Sequence, residues 1–172
     1  KKTSEERLEE LTTFVELFKS ELKDFKAPVG LQINLSCPNI GLDPTHLVSE
    51  IGEGLRIASS LEIPLMPKLN ITVPVEAAKN ITDNPHCYGL CVSNTIPWGV
   101  LPDKINWQKL FGTTTSPLVH LGGGGLSGKP LLPLVRDWIF AARKAGITKP
   151  INAGGGILCA HDVRALQNAG AT

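Results

Sequence analysis

Leu31-Gln32-Ile33-Asn34-Leu35-Ser36-Cys37-Pro38-Asn39, with Asp43-Pro44 following, decides how the rest of the chain is read. Leu31 to Leu35 has the short apolar character of a strand. Pro38 prevents a helix from following directly. Asp43-Pro44 then opens one, with Leu47, Val48, Ile51, Leu55 and Ala58 spaced along one face. Strand, polar loop and helix make the repeating unit of an α/β protein. The loop gathers carboxamides, a hydroxyl and a thiol at the carboxyl end of a strand, where α/β enzymes keep their chemistry.

Working outward, residues 4 to 22 place Leu8, Leu11, Val15, Phe18 and Leu22 at alternating steps of three and four, which predicts an amphipathic helix. Downstream the unit recurs: strand 63–69, helix 73–80, strand 88–92, helix 130–145 stopped by Gly146, strand 150–153 and helix 160–169. Short apolar strands separated by helices predict a parallel sheet covered on both faces rather than hairpins. From Pro97-Trp98-Gly99 to about residue 121 the chain reads as an irregular insertion, too polar and broken for a helix of any length. Strand starts near 31, 63, 88 and 151 give roughly 30 residues per unit once that insertion is set aside. A closed (β/α)8 barrel takes roughly 250 residues. The expectation is either a small open α/β sheet or a piece of a larger barrel.

Composition excludes several classes. At 172 residues, with 42% hydrophobic and 19% charged, the chain has an ordinary globular balance, enough for one domain. Lys and Arg number 17 against 16 Asp and Glu, so no general field draws it to nucleic acid or to an anionic membrane. No apolar run approaches the roughly 20 residues of a membrane span. Cys37, Cys87, Cys91 and Cys159 form no CxxC pair and are expected as reduced thiols, Cys87 and Cys91 packing on or beside a strand. His46, His86, His120 and His161 have no metal-ligand spacing, and no metal is assigned.

Four groups of residues could carry chemistry. Asn34, Ser36, Cys37 and Asn39 combine a potential thiolate base with carboxamides that donate and accept, although a cysteine before proline also serves in packing. Lys68, near the end of an apolar strand, either meets an anionic partner at the sheet's rim or snorkels to solvent. Ser93-Asn94-Thr95 again gathers polar groups as a strand ends. Gly122 to Gly125 with Ser127-Gly128, and Gly154 to Gly156, make turns whose N–H groups can approach a phosphate, or simply tight turns. Residues 123–129 match GxxxxGK, but Pro130 stands where a nucleoside-triphosphate loop needs Ser or Thr, so that reading is rejected.

Taken in order, Asn34-Leu35-Ser36-Cys37-Pro38-Asn39, Lys68, Ser93-Asn94-Thr95, Gly124-Gly125-Leu126-Ser127-Gly128 and Gly154-Gly155-Gly156 resemble the dihydroorotate dehydrogenase family. These are FMN enzymes built on a (β/α)8 TIM barrel. The resemblance implies that residues 1–172 are a partial FMN-binding barrel domain. It would hold the middle and later βα units and lack the early strands and the last one. It implies Cys37 as catalytic base, taking the C5 proton of dihydroorotate as hydride leaves C6 for flavin N5. Asn34, Asn39, Asn94 and Thr95 are implied to hold substrate. Asn34, Lys68, Ser127, Gly128, Gly155 and Gly156 are implied to hold FMN, Lys68 beside the ring's polar edge and the glycines around the phosphate.

Cys37 is similar to class 1, soluble enzymes, whereas Ser127-Gly128-Lys129-Pro130-Leu131 is more like class 2, so fumarate, NAD and quinone stay open as electron acceptor. The expected setting is pyrimidine biosynthesis in the cytoplasm, without nucleic-acid or membrane partners. Half a parallel barrel leaves unpaired strand edges, so self-association or association with the missing half is expected. Two alternatives stand beside this reading: a non-catalytic phosphate- or nucleotide-binding α/β module, and a flavin enzyme acting on another pyrimidine.

Overall fold

The computed structural model describes residues 3–34 and 43–172. Ser36, Cys37 and Asn39 therefore lie outside the described residues. The elements in chain order are α1 (Ser4–Glu21), β1 (Leu31–Ile33), α2 (Pro44–Ala58), β2 (Leu65–Leu69), α3 (Val75–Thr82) and β3 (Leu90–Val92). They continue as β4 (Ile96–Pro97), α4 (Trp107–Phe111), β5 (Gly125–Leu126), α5 (Leu131–Lys144), β6 (Ile151–Ala153) and α6 (Ala160–Ala169).

Local chemistry explains the helix starts. Thr3 caps α1 by accepting from Glu6 N while the Glu6 carboxylate accepts from Thr3 N, a reciprocal capping box. Asp43 caps α2 by accepting from Thr45 N at 2.9 Å, with Pro44 in the first turn where its missing N–H costs nothing. Gly146, at φ 88°, lets the chain leave α5 in a conformation that other residues rarely adopt.

Four strands pair in parallel in the order β1-β2-β3-β6, which is also their order along the chain. Right-handed crossovers between such strands put the connecting helices on the same face. Accordingly α1 packs on α2, α2 on α3, α3 on α5 and α5 on α6. This is the winding of a (β/α) barrel segment rather than of a doubly wound sheet, which reverses its strand order and carries helices on both faces. The sheet is an arc that does not close among the described residues. The reading of α/β architecture with parallel strands alternating with helices is borne out. The expected cover of helices on both faces is not found: one face carries α1, α2, α3, α5 and α6.

Alternation divides the sheet's two faces. Leu65 and Leu69 of β2, Leu90 and Val92 of β3 and Ile151 of β6 are buried. Ile51 and Leu55 of α2, Ala78 and Ile81 of α3 and Val135, Ile139 and Ala142 of α5 are buried in the same core. The opposite face keeps Gln32, Met66, Lys68, Cys91 and Asn152, all half-buried or exposed. At one edge of the sheet Thr172 N donates to Ile151 O at 3.0 Å, and its hydroxyl accepts from Ile151 N at 2.8 Å.

The insertion is more ordered than its composition implies. Strands β4 and β5 pair antiparallel, Ile96 with Leu126, and close a loop that contains α4. Although α4 has only five residues, Trp98, Trp107 and Phe111 converge beside it, the two tryptophan rings 4.8 Å apart. Trp107 Nε1 donates to Val100 O at 3.1 Å.

Candidate functional site

The carboxyl ends of β1, β2, β3 and β6 lie at one end of the sheet because the strands are parallel. Register then decides what meets there. Lys68 pairs with Cys91, and Cys91 with Asn152, so the three occupy one row on the helix-free face. Ile33 pairs with Pro67, which puts Asn34 one step on, at the height of Lys68. The Cys91 thiol is pushed up from its usual value by burial, an effect that the nearby Lys68 charge opposes. It is a neutral, weakly donating group rather than a nucleophile.

Beneath this row the face is filled. A Cβ on Gly89 would lie 3.2 Å from Met66 Cε and 2.6 Å from Pro150 O, so the Met66 side chain closes the space over the glycine. Above it, β3 ends in residues held from both sides. Ser93 N donates to Gly154 O at 3.1 Å and Asn94 N to Leu69 O at 3.2 Å. Asn94, 9% exposed, donates from Nδ2 to Asn34 Oδ1 at 3.0 Å. Buried Asn70 donates to Thr95 O at 2.6 Å and accepts from Thr72 N at 3.0 Å, fixing the turn after β2 against the turn after β3.

The glycine turns converge as well. A Cβ on Gly156 would stand 2.6 Å from Gly128 O and 2.9 Å from Leu132 N, so the turn after β6 lies directly against the loop and first turn of α5. Gly155 in turn abuts Leu131 of the same helix. Ser127, Gly128 and Lys129 are exposed, and α5 follows Pro130 without a side-chain cap; Leu131 N donates to Gly128 O at 2.9 Å and Leu132 N to Lys129 O at 3.2 Å, so the loop's own carbonyls take the first N–H groups of the helix. The α6 start is different: Asp162 accepts from Leu158 N and Cys159 N, and those hydrogen bonds hold its carboxyl below the usual range.

The structure thus brings Asn34, Lys68 and Asn94 to one end of the sheet and sets Gly156 against Gly128, and Gly155 against Leu131, at the α5 start. Thr95 is half-buried, and its hydroxyl packs where a Cβ on Gly125 would come within 2.6 Å, against β5. Cys37 and Asn39 are outside the described residues. Sequence reasoning missed Asn70, Cys91 and Asn152. Cys87 packs as expected, 2% exposed, its thiol pushed up to about 11 by burial. Cys91 instead faces the polar row. The signal available was alternation from Lys68 once the strand register is known.

A singly wound parallel α/β sheet with polar side chains at its carboxyl end, beside glycine turns at a helix start, defines a segment of a barrel-type enzyme. No family model matches the chain. Among curated proteins it is 33% identical over 149 residues to the catalytic subunit of dihydroorotate dehydrogenase B (NAD(+)) of Staphylococcus carnosus, covering 80% of this chain and 44% of that protein. It is 30% identical over 152 residues to dihydroorotate dehydrogenase A (fumarate) of Lacticaseibacillus paracasei, covering 83% of this chain and 47% of the relative. A second B-type catalytic subunit, from Oceanobacillus iheyensis, is 29% identical over 149 residues, covering 83% of this chain and 45% of that protein. The chain is similar to these dihydroorotate dehydrogenases and spans less than half the length of each.

Proposed function

We propose that the protein carrying this chain is a flavin oxidoreductase of the dihydroorotate dehydrogenase type, with FMN as its cofactor and dihydroorotate as its substrate. The observation that carries the reading is the meeting of Asn34, Lys68 and Asn94 at one end of a parallel sheet, on its helix-free face. The residues fit such a cofactor. The glycine turn at Gly155 and Gly156 lies against Gly128 and the first turn of α5, and a phosphate there would be met by the turns' own N–H groups beside the helix's positive end. The polar row above the Met66 floor suits a planar ring system with donors and acceptors on its edge.

FMN, when bound, supplies the two-electron acceptor. This chain's residues bind, orient and move a proton. The Asn34 carboxamide, fixed in orientation by Asn94, meets the alternating N–H and C=O groups of a dihydropyrimidine. The Lys68 ammonium stabilises negative charge at the rim of the sheet. Cys37, four residues after Ile33 in sequence, takes the C5 proton as thiolate. Ser127 and Thr95 flank the site on the side of β5.

The test is optical. The whole protein should purify yellow and be bleached anaerobically by dihydroorotate. Cys37→Ala should retain flavin while reduction by dihydroorotate slows by about 10²- to 10⁴-fold, the usual contribution of a positioned base. A colourless protein that gives no FMN binding by fluorescence titration overturns the reading. Full turnover by Cys37→Ala would instead remove the assigned base.

A further inference from the structure

We propose that Asn152 is a further cofactor-holding residue, completing with Lys68 and Cys91 a polar floor on which the planar flavin ring rests. This rests on the flavin reading above. Three observations converge on it. Asn152 is in register with Cys91, which is in register with Lys68, so the three side chains share one face across adjacent strands. Adjacent strands lie about 4.8 Å apart, so the row spans roughly 10 Å, long enough to underlie a tricyclic ring rather than a single small ring. Met66, filling the space above Gly89, closes the layer beneath, so a ligand entering from the carboxyl end of the sheet is stopped at this row.

The residue type is itself informative. A parallel strand inside an α/β fold reads as a near-continuous apolar run, and asparagine is depleted in strands. Asn152 sits between Ile151 and Ala153 in β6, with its side chain exposed on the helix-free face. Among the described residues no hydrogen bond to its carboxamide is formed. An apolar residue would serve a purely structural row better. A carboxamide there can donate to a ring nitrogen or carbonyl, or accept from a ring N–H.

The experiment uses the whole protein stripped of flavin and titrated with FMN, followed by fluorescence quenching and by the visible spectrum of the bound flavin. Asn152→Ala and Asn152→Leu are expected to raise the FMN Kd about fivefold or more, the loss of one hydrogen bond, and to shift the bound-flavin spectrum. Asn168→Ala, which removes an exposed carboxamide from α6, should do neither. Unaltered affinity and spectrum in both Asn152 variants, with FMN binding normal in the parent protein, overturn this assignment alone. A parent protein that binds no FMN overturns the flavin reading itself. Should the leucine variant fail to fold, the alanine variant, which only trims an exposed side chain, decides.

Discussion

Asn94 Nδ2 donates to Asn34 Oδ1 at 3.0 Å, joining the ends of β3 and β1 across 60 residues of sequence. Asn34 is exposed while Asn94 is 9% exposed, so the buried partner holds the exposed one in a fixed orientation. A carboxamide in water rotates freely; this one does not.

Asn94→Ala should therefore cost more in ligand binding than in stability. The partly buried hydrogen bond to Asn34 is worth about 1 kcal/mol to the fold. On the proposed reading, orotate binding, followed by the perturbation it causes in the flavin spectrum, should weaken by about tenfold or more, because the orientation of Asn34 is lost with Asn94. Equal losses in Asn94→Ala and Asn34→Ala, with a double variant no worse than either single, would mark the two as a unit.

How much of this was legible follows from where each signal lies. Asn34, Lys68 and Asn94 could be singled out because each ends an apolar run, and a polar group at a strand end is visible along the chain. Cys91 and Asn152 could not, because in a strand of three residues the facing side depends on register with a neighbour distant in sequence. The pairing of β4 with β5 was hidden for another reason. Each strand has two residues, and Pro97 and Gly125 carry no strand propensity. Helices and parallel strands differ in extent: α6 was readable to the residue, whereas β1 starts at Leu31 as read but ends two residues early, and β2, β3 and β6 begin one or two residues later than their apolar runs.

The glycines of the turn after β6 are not equivalent to those before α5. Gly156 has φ 76° and its Cβ would collide with Gly128 O and Leu132 N, both backbone atoms, while Gly128 at φ 81° has nothing within 4 Å of the corresponding position. Gly128→Ala should cost about 1–2 kcal/mol, the strain of a left-handed residue alone. Gly156→Ala adds a backbone clash and must push the two loops apart. Urea denaturation should rank Gly156→Ala well below Gly128→Ala, and FMN affinity should fall more in the former.

Arg7 fastens α1 to α2 through a two-point contact with buried Glu50, Nε to Oε1 at 2.6 Å and NH2 to Oε2 at 2.7 Å. Burial by itself raises the Glu50 carboxyl, but hydrogen bonds from Arg7 and Ser4 outweigh it and hold the group below its ordinary value of 4.5. A carboxylate depressed on folding contributes stability that is fully present above its unfolded value and is lost as pH falls through the folded one. Arg7→Met should destabilise by about 3 kcal/mol by leaving a buried charge unpaired, and Arg7→Met with Glu50→Leu should recover most of that. In urea titrations of the parent at pH 7 and in steps below pH 4.5, the midpoint should fall with acid, and the double variant should lose less.

The insertion gains its order from an aromatic cluster rather than from helix propensity. An isolated helix of five residues is far too short to persist in water, so α4 depends on Trp107, which is 8% exposed and stacks near Trp98 and Phe111. Trp107→Ala removes the cluster's centre and the hydrogen bond to Val100 O. Truncating a buried tryptophan typically costs about 3–5 kcal/mol, but the β4–β5 pair confines the insertion at both ends, so the damage should stay local. Trypsin should then cut at Lys104 or Lys109 while the parallel sheet resists, and FMN binding should fall little. If Trp107→Ala were as protease-resistant between β4 and β5 as the parent, the cluster would not be what orders this segment. Trp107→Phe, keeping an aromatic ring without the indole N–H, should restore most of the protection and so separate stacking from the single hydrogen bond.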